Sequence, residues 1–193
     1  MFFNLLGALS RLTLKLGGWT LEGKRPPEKK YICLASPHTS LVDGFWMVLS
    51  AFGLGIRISY LVKDVYTRGI FGRLVLWTGG IPVRSGAGAN KVAEVANFIN
   101  SKDSVEILVA PAGTRAQRDS WRSGFYHIAK GTNIPVYFAY LDFKQRCCGI
   151  NDRPLYLSDD PVKDMDTVRN FYSGMMGKHP EKMTKIYIKE EKS

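Results

Sequence analysis

Apolar runs of strand length alternate along this chain with stretches whose apolar residues recur every three or four positions. Residues 31–35, 56–62, 105–110 and 134–143 read as strands, and the largely apolar 105–110 has the pattern of a strand covered on both faces. Residues 81–84 and 153–157 read as shorter extended pieces. Helical periodicity marks a segment starting near Thr39, which carries Phe45, Trp46, Met47, Leu49 and Phe52. It also marks 65–77, bearing Arg68 and Arg73 and broken by Gly79-Gly80, and 90–100, with Val92, Val95, Ala96 and Ile99 on one face. A helix over 122–130 should stop at Gly131, and a last one should span 161–176. This alternation predicts an α/β sandwich with a parallel or mixed sheet.

The first sixteen residues form an amphipathic helix of their own. Phe2, Leu5, Leu6, Leu9, Leu12 and Leu16 fall on one side and Asn4, Arg11 and Lys15 on the other, with Phe3 adding to the apolar end. At about 24 Å the run falls short of a ~30 Å hydrocarbon core, and charge interrupts it. Two readings fit: a helix lying in the lipid headgroup region, anchored by Phe2, Phe3, Leu5, Leu6, Leu9 and Leu12, or a first helix packed on the core. A turn-rich patch with Pro26-Pro27 follows, so the chain divides into residues 1–22 and one domain over 23–193.

With 193 residues there is room for one domain with a sizeable core. Twenty-seven basic against seventeen acidic residues give a formal charge of +10, which favours anionic partners. The basic residues are scattered and no nucleic-acid motif accompanies them, so nucleic acid is not an expected partner. Cys33 sits in an apolar run, Cys147 and Cys148 are adjacent, and no metal-ligand spacing of Cys or His occurs. Light cysteine use of this kind suits a reducing intracellular compartment.

Candidate chemistry begins at Ser36-Pro37-His38-Thr39-Ser40-Leu41-Val42-Asp43. An imidazole held by a carboxylate can take a proton from a hydroxyl near pH 7. Five helical steps rotate through roughly 140°, so His38 and Asp43 cannot share a helix face. They meet only if the backbone bends between them, with His38 in a strand-end loop and Asp43 in the first helical turn. Pro37 and the N-cap residues Thr39 and Ser40 supply such a break. Two further strand-end segments carry arginines, Gly80-Ile81-Pro82-Val83-Arg84 and Gly113-Thr114-Arg115. A guanidinium pairs bidentately with phosphate, and a glycine turn exposes backbone amides beside it. His127 and His179 read as a helix residue and a surface turn. Trp121 and Arg122 fit either an acceptor entrance or, for Trp121, a core anchor.

In order and spacing these segments resemble the glycerolipid acyltransferase family typified by bacterial 1-acylglycerol-3-phosphate acyltransferases. The matching blocks are His38-x4-Asp43, Gly80-Ile81-Pro82-Val83-Arg84, Ala110-Pro111-Ala112-Gly113-Thr114-Arg115 and Ile134-Pro135-Val136; Tyr60-Leu61-Val62-Lys63 matches a lysine-bearing segment. The resemblance implies a glycerol-phosphate acyltransferase-like fold, a mixed and largely parallel sheet flanked by helices. It implies His38 as general base and Asp43 as the group that holds its tautomer. Lys63, Arg84, Gly113, Thr114 and Arg115 would bind acceptor phosphate.

The implied reaction moves a fatty acyl group from a thioester on coenzyme A or acyl carrier protein to a lysophospholipid hydroxyl. Acyl-CoA or acyl-ACP serves as co-substrate, with no metal or other cofactor. The implied location is peripheral or monotopic, on the cytoplasmic face of a membrane. One position departs from the pattern: where the family carries glutamate before Gly-Thr-Arg, this chain has Ala112. That substitution keeps open a second expectation, a non-catalytic or weakened lipid-binding protein on the same fold.

Overall fold

The computed structural model describes residues 2–83 and 89–192; the side chains of residues 2–4, 63, 83 and 89–91 lie outside that description. In chain order the elements are α1 (Phe2–Leu16), β1 (Thr20–Glu22), β2 (Lys30–Ser36), α2 (Leu41–Gly53), β3 (Ile58–Lys63), a 3-10 turn (Asp64–Thr67), α3 (Gly69–Trp77) and β4 (Gly80–Val83). There follow α4 (Ala89–Asn100), β5 (Val105–Val109), α5 (Gly124–Thr132), β6 (Val136–Asp142), β7 (Cys147–Ile150) and α6 (Pro161–Tyr172), with short 3-10 turns at Pro180–Lys182 and Lys189–Lys192. The seven strands form one sheet in the order β1-β7-β6-β2-β5-β3-β4. Every pair is parallel except β6–β7, so the sheet is mixed and largely parallel.

Alternation along β2 divides the core. Ile32 and Leu34 pack with α4, α5 and α6 through Ile99, Phe125, Ile128, Met165 and Val168. Tyr31, Cys33 and Ala35 face the other way, toward Ala51 and Met47 of α2 and Leu14 of α1. Helix α3 lies on that second side too. The Tyr60 hydroxyl sits 2.7 Å from Thr78 Oγ1, and the Phe52 and Trp77 rings are 6.0 Å apart. Helices therefore cover both faces, and β2 is buried on both.

Helix α1 packs on α2 through its small residues. Gly7 and Ser10 are buried with Leu14, whereas Leu5, Leu9, Leu12 and Leu16 are exposed. A Cβ at Gly7 would come within 3.0 Å of Phe52 O, so the close approach requires glycine there. Leu6 is half-buried rather than on the free face that the sequence suggests.

Several boundaries differ from the sequence expectation for identifiable reasons. The 65–77 helix is split, because Arg68 is extended and Gly69 has φ +69°. Helix α5 runs through Gly131 and ends at Asn133, whose left-handed φ of 51° lets its amide reach Ala129 and Lys130 carbonyls. The last helix stops at Tyr172, where Ser173 turns extended. Strands β1 and β7 have no counterpart in the sequence reading; at three and four residues they are too short to show a period. Residues 153–157 contribute only an isolated bridge from Leu155 to Val136.

One glycine sets the path into β4. Gly79 has φ +102°, and a Cβ there would lie 1.9 Å from Ile58 O. Gly79→Ala is expected to cost about 3 kcal/mol through left-handed strain and that clash, read as a lowered urea midpoint.

Candidate active site

The end of β2 places the histidine. After Ser36 the chain leaves the sheet, Ser40 caps α2 with an extended backbone (φ −146°, ψ 168°), and Asp43 occupies the first turn in a reciprocal capping box. Asp43 is fully buried. Its Oδ2 accepts from the Thr39 amide at 2.6 Å and the Ser40 amide at 2.8 Å, and its Oδ1 accepts from the Ser40 hydroxyl at 2.7 Å. Burial alone would raise the Asp43 pKa. The His38 ring, the Ser40 hydroxyl and the Ser40 and Thr39 amides outweigh it and hold the carboxyl below its ordinary value.

His38 Nδ1 lies 3.5 Å from Asp43 Oδ2, within ion-pair range but too long for a good hydrogen bond. That nitrogen is buried and has no hydrogen-bond partner. Oδ2 already holds two amides, which accounts for the gap. The side chain keeps 22 % of its exposure, none of it at Nδ1. The imidazole is thus aimed at a fixed negative charge through Nδ1 and leaves its other edge free.

Strands β2, β5, β3 and β4 are consecutive neighbours and parallel, so their C-terminal ends open along one edge of the sheet. Three strand spacings cover about 15 Å. His38 follows β2, Gly113-Thr114-Arg115 follows β5, Lys63 ends β3, and Val83 ends β4 in register with Lys63. The Lys63 side chain and Arg84 lie outside the described residues, as do the side chains of Phe2 and Phe3. Helices α2 and α5, which follow the adjacent strands β2 and β5, pack on opposite faces of the sheet, the arrangement that in open α/β sheets leaves a crevice between two strand ends.

In the loop after β5, Gly113 has φ +67°, and the Arg122 side chain packs behind it where a Cβ would come within 2.9 Å. The Thr114 hydroxyl accepts from the Ala116 amide at 3.3 Å. Arg115 is exposed and pairs with no other described residue. Ala112 is half-buried against the core. Trp121 is buried edge-on to Phe125 and Tyr172, a core position rather than an entrance.

No protein-family model and no curated protein matches the sequence. Among solved structures, the 1-acyl-sn-glycerophosphate (LPA) acyltransferase PlsC from Thermotoga maritima superposes with a TM-score of 0.59 at 15 % identity, covering 88 % of this chain and 77 % of that one. The chain has an acyltransferase fold.

Within that acyltransferase fold, one contact was not visible in the sequence. The Thr39 hydroxyl accepts from the His179 amide at 3.1 Å, and Gly177 is pressed against Thr39 and Pro37. The segment 177–180, read from sequence as a helix-end surface turn, backs the His38 loop. Only the Gly177-Lys178 pair hints at it, since a buried glycine allows the close approach. His127 pairs with Glu190 at 2.7 Å on the α5 surface, away from the predicted site residues. A cavity of about 630 Å³ lined by Tyr140, Asp142, Phe171 and Met175 includes none of those residues.

Proposed function

We propose that this protein is an O-acyltransferase that moves a fatty acyl group from acyl-CoA or acyl-ACP to the hydroxyl of a lysophospholipid, with 1-acylglycerol-3-phosphate the leading acceptor. The observation that carries the reading is the His38–Asp43 pair beside the Gly113-Thr114-Arg115 turn, at the ends of neighbouring parallel strands. His38 takes the acceptor proton on Nε2 while the oxygen attacks the thioester carbon. The imidazolium that forms is stabilised by Asp43, and the Nδ1 contact tightens as charge develops. Collapse of the tetrahedral intermediate breaks the C–S bond, and the thiol departs with the proton. Arg115, with Lys63 and Arg84, holds the acceptor phosphate, and Gly113 and Thr114 offer donors to it. No acyl-enzyme forms. Helix α1 holds the protein to the membrane surface through its exposed leucines; among the described residues no helix is long and apolar enough to cross a membrane.

The test combines lysolipids with acyl thioesters and follows both thiol release and the acylated lipid by mass spectrometry. Acylated product that needs both components is expected. Thioester loss at the same rate without acceptor would overturn the assignment.

Ala112 favours a second reading, a lipid-binding protein that retains the fold. A glutamate at that position would stand three residues before Arg115, which pairs with no other described residue. Ala112→Glu is expected to raise turnover by about tenfold through a better-positioned guanidinium. Silence of both forms in the thiol-release assay would favour lipid binding without transfer.

A further inference from the structure

The exposed apolar side chains of this protein are not scattered. Among the described residues, all the large ones except Tyr156, Val162 and Met176 lie on α1, α2, the Asp64–Thr67 turn and α3, the helical layer on one side of the sheet. Helix α1 accounts for only part of this surface. Ile70 and Phe71, in the first turn of α3, are each 80 % exposed, and Trp77 at its far end is 55 % exposed. Around the end of β2 stand Leu41 and Phe45, and just past the end of β3 stands Tyr66, all exposed. Two separate strand-to-helix connections therefore ring the His38 edge with apolar groups.

Charge indicates what covers them. The segments that build this layer, residues 1–21 and 41–80, contain Asp43 and Asp64 as their only acids, and Asp43 is buried. Arg68 and Arg73 flank the α3 patch; Arg68 shares Asp64 at 2.9 Å, and Arg73 has no acidic partner among the described residues. Arg115, Arg118 and Arg122 stand exposed at the same sheet edge. A second copy of a +10 chain would repel this surface, whereas an anionic bilayer complements it. The apolar void beneath α2 is about 30 Å³, room for about one water and not for an acyl chain.

The geometry points to α3 and the rim of the site as a bilayer-docking surface, distinct from the α1 anchor, that sets the His38 edge against an anionic lipid surface. Ile70 and Phe71 enter the headgroup boundary, and Arg68 and Arg73 pair with lipid phosphates. This goes beyond the acyl-transfer reading and does not depend on it, because docking is measured without substrate.

The experiment uses the full chain and vesicles of phosphatidylcholine with or without phosphatidylglycerol, measured by co-sedimentation. Ile70→Gln/Phe71→Gln, with α1 intact, is expected to weaken partitioning onto the mixed vesicles by about tenfold. Both side chains are exposed, so the fold is not at risk. Brominated acyl chains should quench tryptophan emission in the wild type and do so far less in Trp77→Phe. Unchanged partitioning of the double variant would overturn the proposal. So would a wild-type dimer in sedimentation velocity that the double variant dissolves, because the patch would then be a contact between copies.

Discussion

Replacing His38 with alanine is expected to lower acyl transfer by about 10³- to 10⁴-fold while leaving the protein folded. The two halves of that expectation rest on different observations. The rate loss follows from removing the only imidazole among the described residues that stands at the strand-end crevice; His127 sits on α5 against Glu190, and His179 contributes its amide to Thr39. The preserved fold follows from burial. His38 Nδ1 is hidden from water without a hydrogen bond, so the native state already carries a desolvation cost there, and truncation removes that cost along with the ring. The Asp43 network stays complete, since both amides and the Ser40 hydroxyl remain. Thermal unfolding should therefore shift by no more than about 3 °C. Thiol release measured beside a melting curve checks both halves. Wild-type turnover by the alanine variant would remove the general-base role, and a large melting shift would mean that the ring is structural.

The β2–α2 junction was legible because local chemistry agrees at every position. An apolar run, a proline, a capping serine and a first-turn acid all end a strand and start a helix at the same place. That agreement is also why five residues could be read as a bend rather than a helical face. The pairing order was not legible, since nothing local to 105–109 says that it inserts between β2 and β3. Strand β7 escaped notice because its place is set by partners, Thr20–Glu22 on one side and Ala139–Asp142 on the other. Only glycine fits at position 149, where a Cβ would lie 2.2 Å from Glu22 O. The fold likeness to the Thermotoga PlsC at 15 % identity shows that this topology does not require most of these side chains. The apolar rim was the hardest feature to read. The helical pattern over 65–77 gives no side for Ile70 and Phe71, and in the structure both are 80 % exposed just after the break at Arg68 and Gly69.

On the proposed mechanism Asp43 serves both the chemistry and the loop that it caps, so its removal should register in both. In Asp43→Asn the amide oxygen can still accept from the Thr39 and Ser40 amides, while the NH2 group donates to the Ser40 oxygen, whose own proton must turn away. Loss of the charge from a buried acceptor that holds two amides and a hydroxyl is expected to cost about 2 kcal/mol. Turnover should fall by roughly 10⁴-fold, because the imidazolium would form without its counter-charge and Nδ1 would have no carboxylate to tighten onto as charge develops. The pH dependence separates the two effects. The folded-state pKa of Asp43 is depressed, so its stabilisation is complete above the unfolded carboxylate value near about 3.9 and is lost as pH falls through the lower folded value. Wild type should therefore lose part of its stability margin over the variant on acidification, with the two denaturant midpoints converging below about pH 4. A constant gap between those midpoints from pH 7 to pH 3 would show that Asp43 contributes through packing and not through its charge. In that case its hold on His38 would be steric as well.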